Sequence, residues 1–231
     1  MSMQQPATKI ENYYQASGDQ YFAQRTAARS DRNQQLRARF FRDLAGDDLT
    51  ILDFGCGTGR ILGSLPAARR LGVEIGPRAA QEARANGIEV HSTVAEIAPA
   101  SIDLAISFHA LEHVDSPLEA LHGILRALKP GGRARLVVPC ETPMRKKQRN
   151  WEANPDQHLY TWTPLNFGNL AARAGFERIG TRLAPMPSGS RMARWFGTES
   201  IVGSAWSIFV NLRDNSYNVV LDAAAPGSLA Q

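Results

Sequence analysis

Short apolar runs alternate with helical patterns along most of the chain. The runs are apolar on successive residues, which is typical of strands buried on both faces, and they are separated by stretches with helical character. Strands covered by helices on both faces form a doubly wound, mostly parallel sheet, so the pattern predicts an α/β fold with seven strands. The predicted strands are residues 49–54, 69–75, 88–91, 101–108, 133–139, 176–183 and 217–225.

The helices expected between these strands are a short one after Thr58 and residues 77–86, 116–128 and 164–174. Proline suits the first turn of a helix and glycine suits the position after its end, and both signals flank the second and the last of them. The segment KPGG at 129–132 is expected to end the helix before it. Pro139 is expected to stop the fifth strand.

Two further parts of the chain are predicted to be helical. Residues 9–45 carry apolar side chains at helical spacing in two pieces, broken at Ser17–Gly18, so residues 1–47 are predicted to form a helical cap or lid on a domain of residues 48–231. Insertions are expected at about 141–163 and 186–213. In 190–212, aromatic residues recur every three or four positions, which predicts a helical insertion before the last strand. These residues could line a pocket, pack as core or touch a membrane.

Composition narrows the class of protein. The chain has 231 residues, of which 43% are hydrophobic and 21% charged, so it can bury a sizeable core. A net charge of +4, spread over scattered arginines, is a weak argument for nucleic acid. Cys56 and Cys140 lie at different strand ends and suggest no disulfide framework. Neither a leader nor a membrane-spanning pattern is found, so a cytoplasmic protein is expected.

Three glycines follow the first predicted strand in the stretch LTILDFGCGTGR. Without Cβ atoms, Gly55, Gly57 and Gly59 let the backbone approach a ligand closely at the start of a helix, as in a nucleotide site. The third glycine is one position earlier than in the G-x-G-x-x-G fingerprint of nicotinamide-binding proteins. Glu74, about twenty residues on at the tip of the second strand, is placed to accept hydrogen bonds from two ribose hydroxyls.

Four segments together carry a resemblance to a known family. In their order and spacing ILDFGCGTGR, GVEIGP, SIDLAISFHALEHV and LKPGGRARLVVP resemble the class I S-adenosylmethionine-dependent methyltransferases, in particular those that act on small molecules. The resemblance implies a Rossmann-like fold, S-adenosylmethionine as cofactor and S-adenosylhomocysteine as product. It covers residues 48–140 densely and 158–177 more loosely.

The resemblance also implies roles for individual residues. Asp53 would order the loop and reach the methionine ammonium, Glu74 would bind the ribose, and Ile75 would pack on adenine. Relatives often have an acidic residue near Val94, and its absence here leaves adenine recognition to backbone groups or to Glu96. The cofactor-binding residues expected are Asp53, Gly55, Cys56, Gly57, Gly59, Glu74, Ile75, Val94, Ala95, Glu96 and Phe108, with Tyr14 and Arg25 from an N-terminal lid.

Three histidines are the candidate catalytic bases. His109 and His113 follow the fourth strand and His158 begins the segment after the fifth, and an imidazole with a pKa near 6.5 suits a hydroxyl or phenol acceptor. HALEH also matches the H-x-x-E-H signature of zinc peptidases. Two histidines four apart bind zinc only on one helix with a third ligand elsewhere, and here Asp115, Ser116 and Pro117 soon interrupt the segment. No metal site is therefore expected, and the peptidase stays a remote alternative.

The function predicted is methyl transfer to a small-molecule acceptor, most readily through oxygen. N- or C-methylation, or a catalytically silent protein that binds the cofactor as a scaffold, are the alternatives. The acceptor is expected on the side of the two insertions and could be apolar or lipid-linked. No nucleic acid partner is expected, because no N-P-P-Y-type tetrapeptide follows SIDLAISF. The chain could be a monomer or a homodimer, with peripheral membrane contact left open.

Overall fold

The structure, a computed structural model, describes residues 31–140, 158–185 and 217–227, with side chains from residue 34 onward. The strands in these ranges are β1 (Gly46–Phe54), β2 (Ala67–Val73), β3 (Glu89–His91), β4 (Ile102–Phe108), β5 (Leu128–Cys140), β6 (Glu177–Pro185) and β7 (Tyr217–Ala224). The helices are α1 (Asp31–Ala38), α2 (Arg60–Gly63), α3 (Pro77–Ala85), α4 (Pro117–Ala127) and α5 (Pro164–Ala174), and a 3₁₀ turn covers Val94–Glu96.

All seven strands belong to one sheet in the order β3-β2-β1-β4-β5-β7-β6. Neighbours from β3 to β5 pair in parallel, whereas β7 runs antiparallel to both β5 and β6. The predicted seven-stranded, mostly parallel sheet is confirmed. Chain order reverses between β1 and β4, and the ends of these two strands therefore leave a crevice of the kind that binds ligands in open α/β sheets.

Helices cover both faces of the sheet, as predicted for strands that are apolar on both faces. Leu52 faces one hydrophobic cluster, which includes Leu121 of α4 and Phe167 of α5. The preceding residue, Ile51, faces the other cluster, which includes Leu62 of α2 and Ala83 of α3. Because successive side chains of a strand point to opposite faces, β1 contributes to both halves of the core.

The helix before KPGG ends at Ala127, as predicted, but both predicted bounds of β5, residues 133 and 139, are wrong. The segment KPGG lies inside β5 as an irregularity: Leu128 pairs with Ile102, and Arg133 already pairs with Leu104. The extra residues are accommodated by Gly131, whose φ is 72°. Pro139 does not stop the strand, because β5 continues to Cys140 alongside the start of β7, where Pro139 lies opposite Asn218.

The described part of the N-terminal segment is tied to the sheet. α1 contributes Leu36 to the core, and the turns after it contribute Phe41. Arg135, a nearly buried residue of β5, donates hydrogen bonds to the Phe40 carbonyl and to the carboxylates of Asp43 and Asp222. The predicted first helical piece, the lid residues Tyr14 and Arg25, and the helical insertion at 190–212 lie outside the described residues, and the division at residue 47 stays a prediction.

Within residues 31–140, 158–185 and 217–227, none of the helices combines the length and the apolar character that a membrane crossing requires.

Candidate active site

A cavity of about 230 Å³ lies at the C-terminal ends of β1, β2 and β4. It occupies the crevice that the reversal of strand order creates, and the turn after each strand contributes side chains or backbone to its wall. Nine residues predicted for the site line this cavity: Gly55, Cys56, Gly57, Glu74, Ile75, Phe108, His109, His113 and His158.

The glycine loop is a tight turn that leads from β1 into α2. Gly55, Gly57 and Gly59 have φ values of 77°, 55° and 74°, a region that disfavours residues with a Cβ atom. At Gly55 a Cβ atom would also lie 2.4 Å from the Cβ of Ala110, in the turn after β4. The predicted role of the glycines, a backbone surface that a ligand can approach, therefore fits the geometry.

Glu74 joins the end of β2 to this loop. Its carboxylate accepts hydrogen bonds from the Gly57 amide at 2.9 Å and from the Gly76 amide at 2.7 Å. Burial raises the pKa of Glu74, and the two amide bonds oppose that rise. Since each carboxylate oxygen can accept more than one hydrogen bond, the side chain can still receive hydroxyl groups from the cavity that it lines.

Asp53 and Cys56 are both buried, and only Cys56 reaches the cavity wall. Asp53 is almost fully buried and does not line the cavity, and burial together with the nearby Glu74 raises its pKa to about 7. Burial, with Asp53 close by, also raises the pKa of the Cys56 thiol, so this cysteine is an inert packing residue of the loop. A cationic ligand above the loop would be attracted to the carboxyl groups of Asp53 and Glu74.

The residues predicted at the adenine edge are not brought to the described cavity wall. Arg126 of α4 holds the Val94–Glu96 turn by donating hydrogen bonds to the carbonyls of Val94 and Ala95. Glu96 accepts a hydrogen bond from Ser92 on the surface. Gly59 also lies away from the cavity, against Ile88 and Ala83, so its part in the site is to close the turn.

His109 is fixed from two sides. Its Nε2 donates a hydrogen bond of 2.7 Å to the Oδ1 of Asn218, a buried residue of β7, and its ring stacks on Phe108 with centroids 4.3 Å apart. Because an amide oxygen only accepts, Nε2 carries a proton in this hydrogen bond, and Nδ1 lies on the side of Glu112. The backbone of His109 has a φ of 55°, which is uncommon outside glycine and recurs at functional positions.

The three predicted histidines meet around one carboxylate. Glu112 is fully buried, and its Oε1 lies 3.9 Å from the Nδ1 of His109, 3.9 Å from the Nε2 of His113 and 4.0 Å from the Nε2 of His158. The rings of His113 and His158 pack edge to face with centroids 4.8 Å apart. The Leu159 amide also donates a hydrogen bond of 2.8 Å to the Glu112 carbonyl. This bond holds the segment that contains His158 against the turn after β4.

HALEH is a turn and not a helix, so the arrangement of a zinc peptidase is not formed. Its two histidines approach the carboxylate between them from different directions, and His158 completes the group from a distant part of the chain. The sequence interpretation named the histidines but missed Glu112 and Asn218. A glutamate within HALEH and a lone asparagine in an otherwise apolar strand were the available signals.

Comparisons with known proteins agree with this geometry. The methyltransferase domain family matches residues 22–179, more than half of the chain. A ubiquinone biosynthesis O-methyltransferase of Roseobacter denitrificans is 32% identical over 56% of this chain, and the chain spans 57% of that protein's length. An uncharacterized 37.1 kDa protein in a Streptomyces fradiae transposon is 32% identical over 38% of this chain, and the chain spans 29% of that protein's length.

Two solved structures share the fold. The phosphoethanolamine N-methyltransferase 2 of Haemonchus contortus, in complex with S-adenosyl-L-methionine, has a TM-score of 0.62 at 16% identity, over 96% of this chain and 60% of that one. The geranyl diphosphate C-methyltransferase of Streptomyces coelicolor A3(2) has a TM-score of 0.57 at 19% identity, over 83% of this chain and 79% of that one. With its glycine loop, its acidic residue after β2 and this family match, the chain belongs to the methyltransferase domain family, in the class I S-adenosylmethionine-dependent group.

Proposed function

We propose that this chain methylates a hydroxyl group of a small-molecule acceptor, with S-adenosylmethionine as the donor and His109 as the base. The observation that carries the proposal is the position of His109 in the cavity that the glycine loop and Glu74 also line, with its proton committed to Asn218 on the far side of the ring. The similarity to an O-methyltransferase over about half of that protein supports oxygen as the acceptor atom.

The residues present fit the cofactor by the chemistry of their groups. Glu74 offers carboxylate oxygens to a pair of ribose hydroxyls, and the loop at Gly55 and Gly57 leaves room for a ligand against the backbone. Ile75 is more than half exposed at the cavity and offers an apolar surface to a flat base. When bound, S-adenosylmethionine supplies an electrophilic methyl group.

His109 would remove the proton from the acceptor hydroxyl. A neutral hydroxyl is a poor nucleophile, so a base within reach of it raises the rate. Asn218 and Phe108 hold the imidazole in one orientation, with Nε2 bonded to Asn218, so in this proposal Nδ1 would take the proton of the hydroxyl. His113 and His158 lie farther inside the group around Glu112, so we assign them a supporting role in placing the acceptor.

The test is methyl transfer from labelled S-adenosylmethionine to three acceptors: a catechol, an aliphatic alcohol and a primary amine. We expect methylation of a hydroxyl. The His109→Ala variant should lower turnover by roughly 10²–10⁴ while cofactor affinity stays near that of the wild type. His122→Ala, at an exposed position of α4, is the matched control and should retain full turnover. Methylation of the amine alone, or an unchanged rate in His109→Ala, would overturn the proposal.

A further inference from the structure

Glu112, His113 and His158 present three ligand atoms of the kind that bind transition metals. One oxygen of Glu112 and one ring nitrogen of each histidine all lie within 4.8 Å of one another. Glu112 and His113 come from the turn after β4, whereas His158 comes from the segment that precedes α5. The group therefore joins two parts of the chain at the wall of the cavity.

The geometry points to a binding site for a divalent transition metal ion, Zn²⁺ by preference, with Glu112, His113 and His158 as its protein ligands. Two imidazoles and one carboxylate form the ligand set of catalytic zinc sites, which leave a further position for water or substrate. Ligand atoms about 2.1 Å from a tetrahedral ion lie about 3.4 Å apart. The separations of 3.9 and 4.0 Å from Glu112 would have to shorten by about 0.5 Å, and the widest separation in the group, up to 4.8 Å, by as much as about 1.4 Å.

Burial supports a cation at this position. Glu112 is fully buried, and the side chains of His113 and His158 are only 15% and 9% exposed. A divalent ion bound to Glu112 would place positive charge directly beside this buried carboxylate. Oxygen and imidazole ligands together favour zinc over magnesium or calcium, which prefer oxygen alone.

The role of the ion rests on the proposed function, although its binding does not. All three ligands line the cavity that also contains His109, so the open coordination position would face the acceptor. A metal ion that coordinates a hydroxyl oxygen lowers the pKa of that hydroxyl. His109 would then receive the proton of a metal-bound hydroxyl, and the acceptor class would be one whose hydroxyl can coordinate a metal, such as a catechol.

Titration of the metal-stripped full chain with Zn²⁺, in competition with a chromophoric chelator, tests the binding directly. We expect one equivalent to bind tightly in the wild type. Glu112→Gln, His113→Gln and His158→Gln should each weaken binding at least tenfold. His122→Ala is the control on α4 and should bind like the wild type. Co²⁺, as a second probe, should give the visible absorption of a four-coordinate site, which is lost in the three variants.

Thermal unfolding of each variant identifies any that fails to fold, and His158→Gln, at the edge of the group, keeps the test available if Glu112→Gln does not fold. Absence of saturable Zn²⁺ binding in the wild type, or equal affinity in wild type and a folded His158→Gln, would overturn the site. Binding of S-adenosylmethionine to the metal-stripped protein is measured separately. Cofactor binding without metal binding would refute this inference alone, whereas metal binding without cofactor binding would refute the proposed function.

Discussion

The Gly57 amide donates a hydrogen bond of 2.9 Å to the carboxylate of Glu74 and so connects two parts of the chain that lie 17 residues apart. The bond holds the glycine loop against the end of β2. The same carboxylate lines the cavity, so one side chain both shapes the loop and faces the expected ribose position.

Replacement of Glu74 should weaken cofactor binding. We expect Glu74→Ala to lose about 1–3 kcal/mol of binding free energy, because a charge-assisted hydrogen bond to the ribose disappears and the loop loses its anchor. Isothermal titration calorimetry with S-adenosylhomocysteine measures the loss. Glu89→Ala, on the neighbouring β3 with its exposed ion pair to Arg69, is the control and should bind normally. Equal affinities in the two variants would refute the role of Glu74.

Gly55→Ala should destabilise the fold more than the same change at another glycine with positive φ. At Gly55 the new Cβ would meet Ala110 at 2.4 Å, whereas nothing lies within 4 Å of a Cβ at Gly87. Left-handed backbone alone costs about 1–2 kcal/mol, so Gly87→Ala should show that cost and Gly55→Ala a larger one. Urea unfolding measures both. The double variant Gly55→Ala/Ala110→Gly should recover part of the difference, and no recovery would mean that the clash with Ala110 is not the cause.

The stability of the ligand-free protein should fall as the pH rises from about 4 to about 7. Asp53 keeps its proton up to a pKa of about 7 in the folded state, whereas the unfolded chain releases it near 3.8. The folded state thus binds more protons at Asp53 in this window, so the contribution of Asp53 to the free energy of unfolding decreases with pH by up to about 4 kcal/mol and is constant above it. Urea unfolding at a series of pH values should show that Asp53→Asn reduces this slope, and the remainder comes from Glu74, whose pKa burial also raises.

Asp103→Asn is the matched control for that experiment. Although burial opposes it, hydrogen bonds from Lys129 and the Thr50 amide hold the pKa of Asp103 below its usual range. Its contribution to stability is therefore present above the unfolded pKa and is lost as the pH falls through the folded value. Asp103→Asn should lower stability at neutral pH and leave the slope between pH 5 and 7 intact. The same slope in Asp53→Asn as in the wild type would contradict the assignment.

Arg135 should be worth more to stability than its exposed neighbour Arg133. Arg135 donates hydrogen bonds to Asp222, Asp43 and the Phe40 carbonyl. Its removal takes these bonds away and leaves Asp222 with the more distant Arg182, at 3.9 Å. We expect Arg135→Gln to cost about 2–4 kcal/mol. Arg133→Gln, which loses one bond to the Leu44 carbonyl, should cost under about 1 kcal/mol. Chemical denaturation measures both, and similar values would refute the anchoring role of Arg135.

The strands and helices could be predicted because each depends on a local pattern. The helix at Pro164–Ala174 has a proline in its first turn and Gly175 after its end, and it was predicted with its observed bounds. The strand at KPGG was missed because its two glycines signal the end of the preceding helix and not the start of a strand. The strand nevertheless begins at Leu128, just before KPGG, because Leu128 pairs with Ile102 of β4. A partner strand is not visible in a local pattern.

The sequence by itself determined the glycine loop, the acidic residue at the tip of the second strand and the three histidines, because each follows directly from the end of a strand or begins a segment with a recognisable pattern. Only the tertiary structure decided that β7 inserts between β5 and β6, and thereby places Asn218 beside His109, 109 residues earlier in the chain. It also decided that Glu112 becomes the buried centre of the histidines. Such contacts depend on strand order and on burial of distant segments against one another, and neither leaves a periodic signal in the residues concerned.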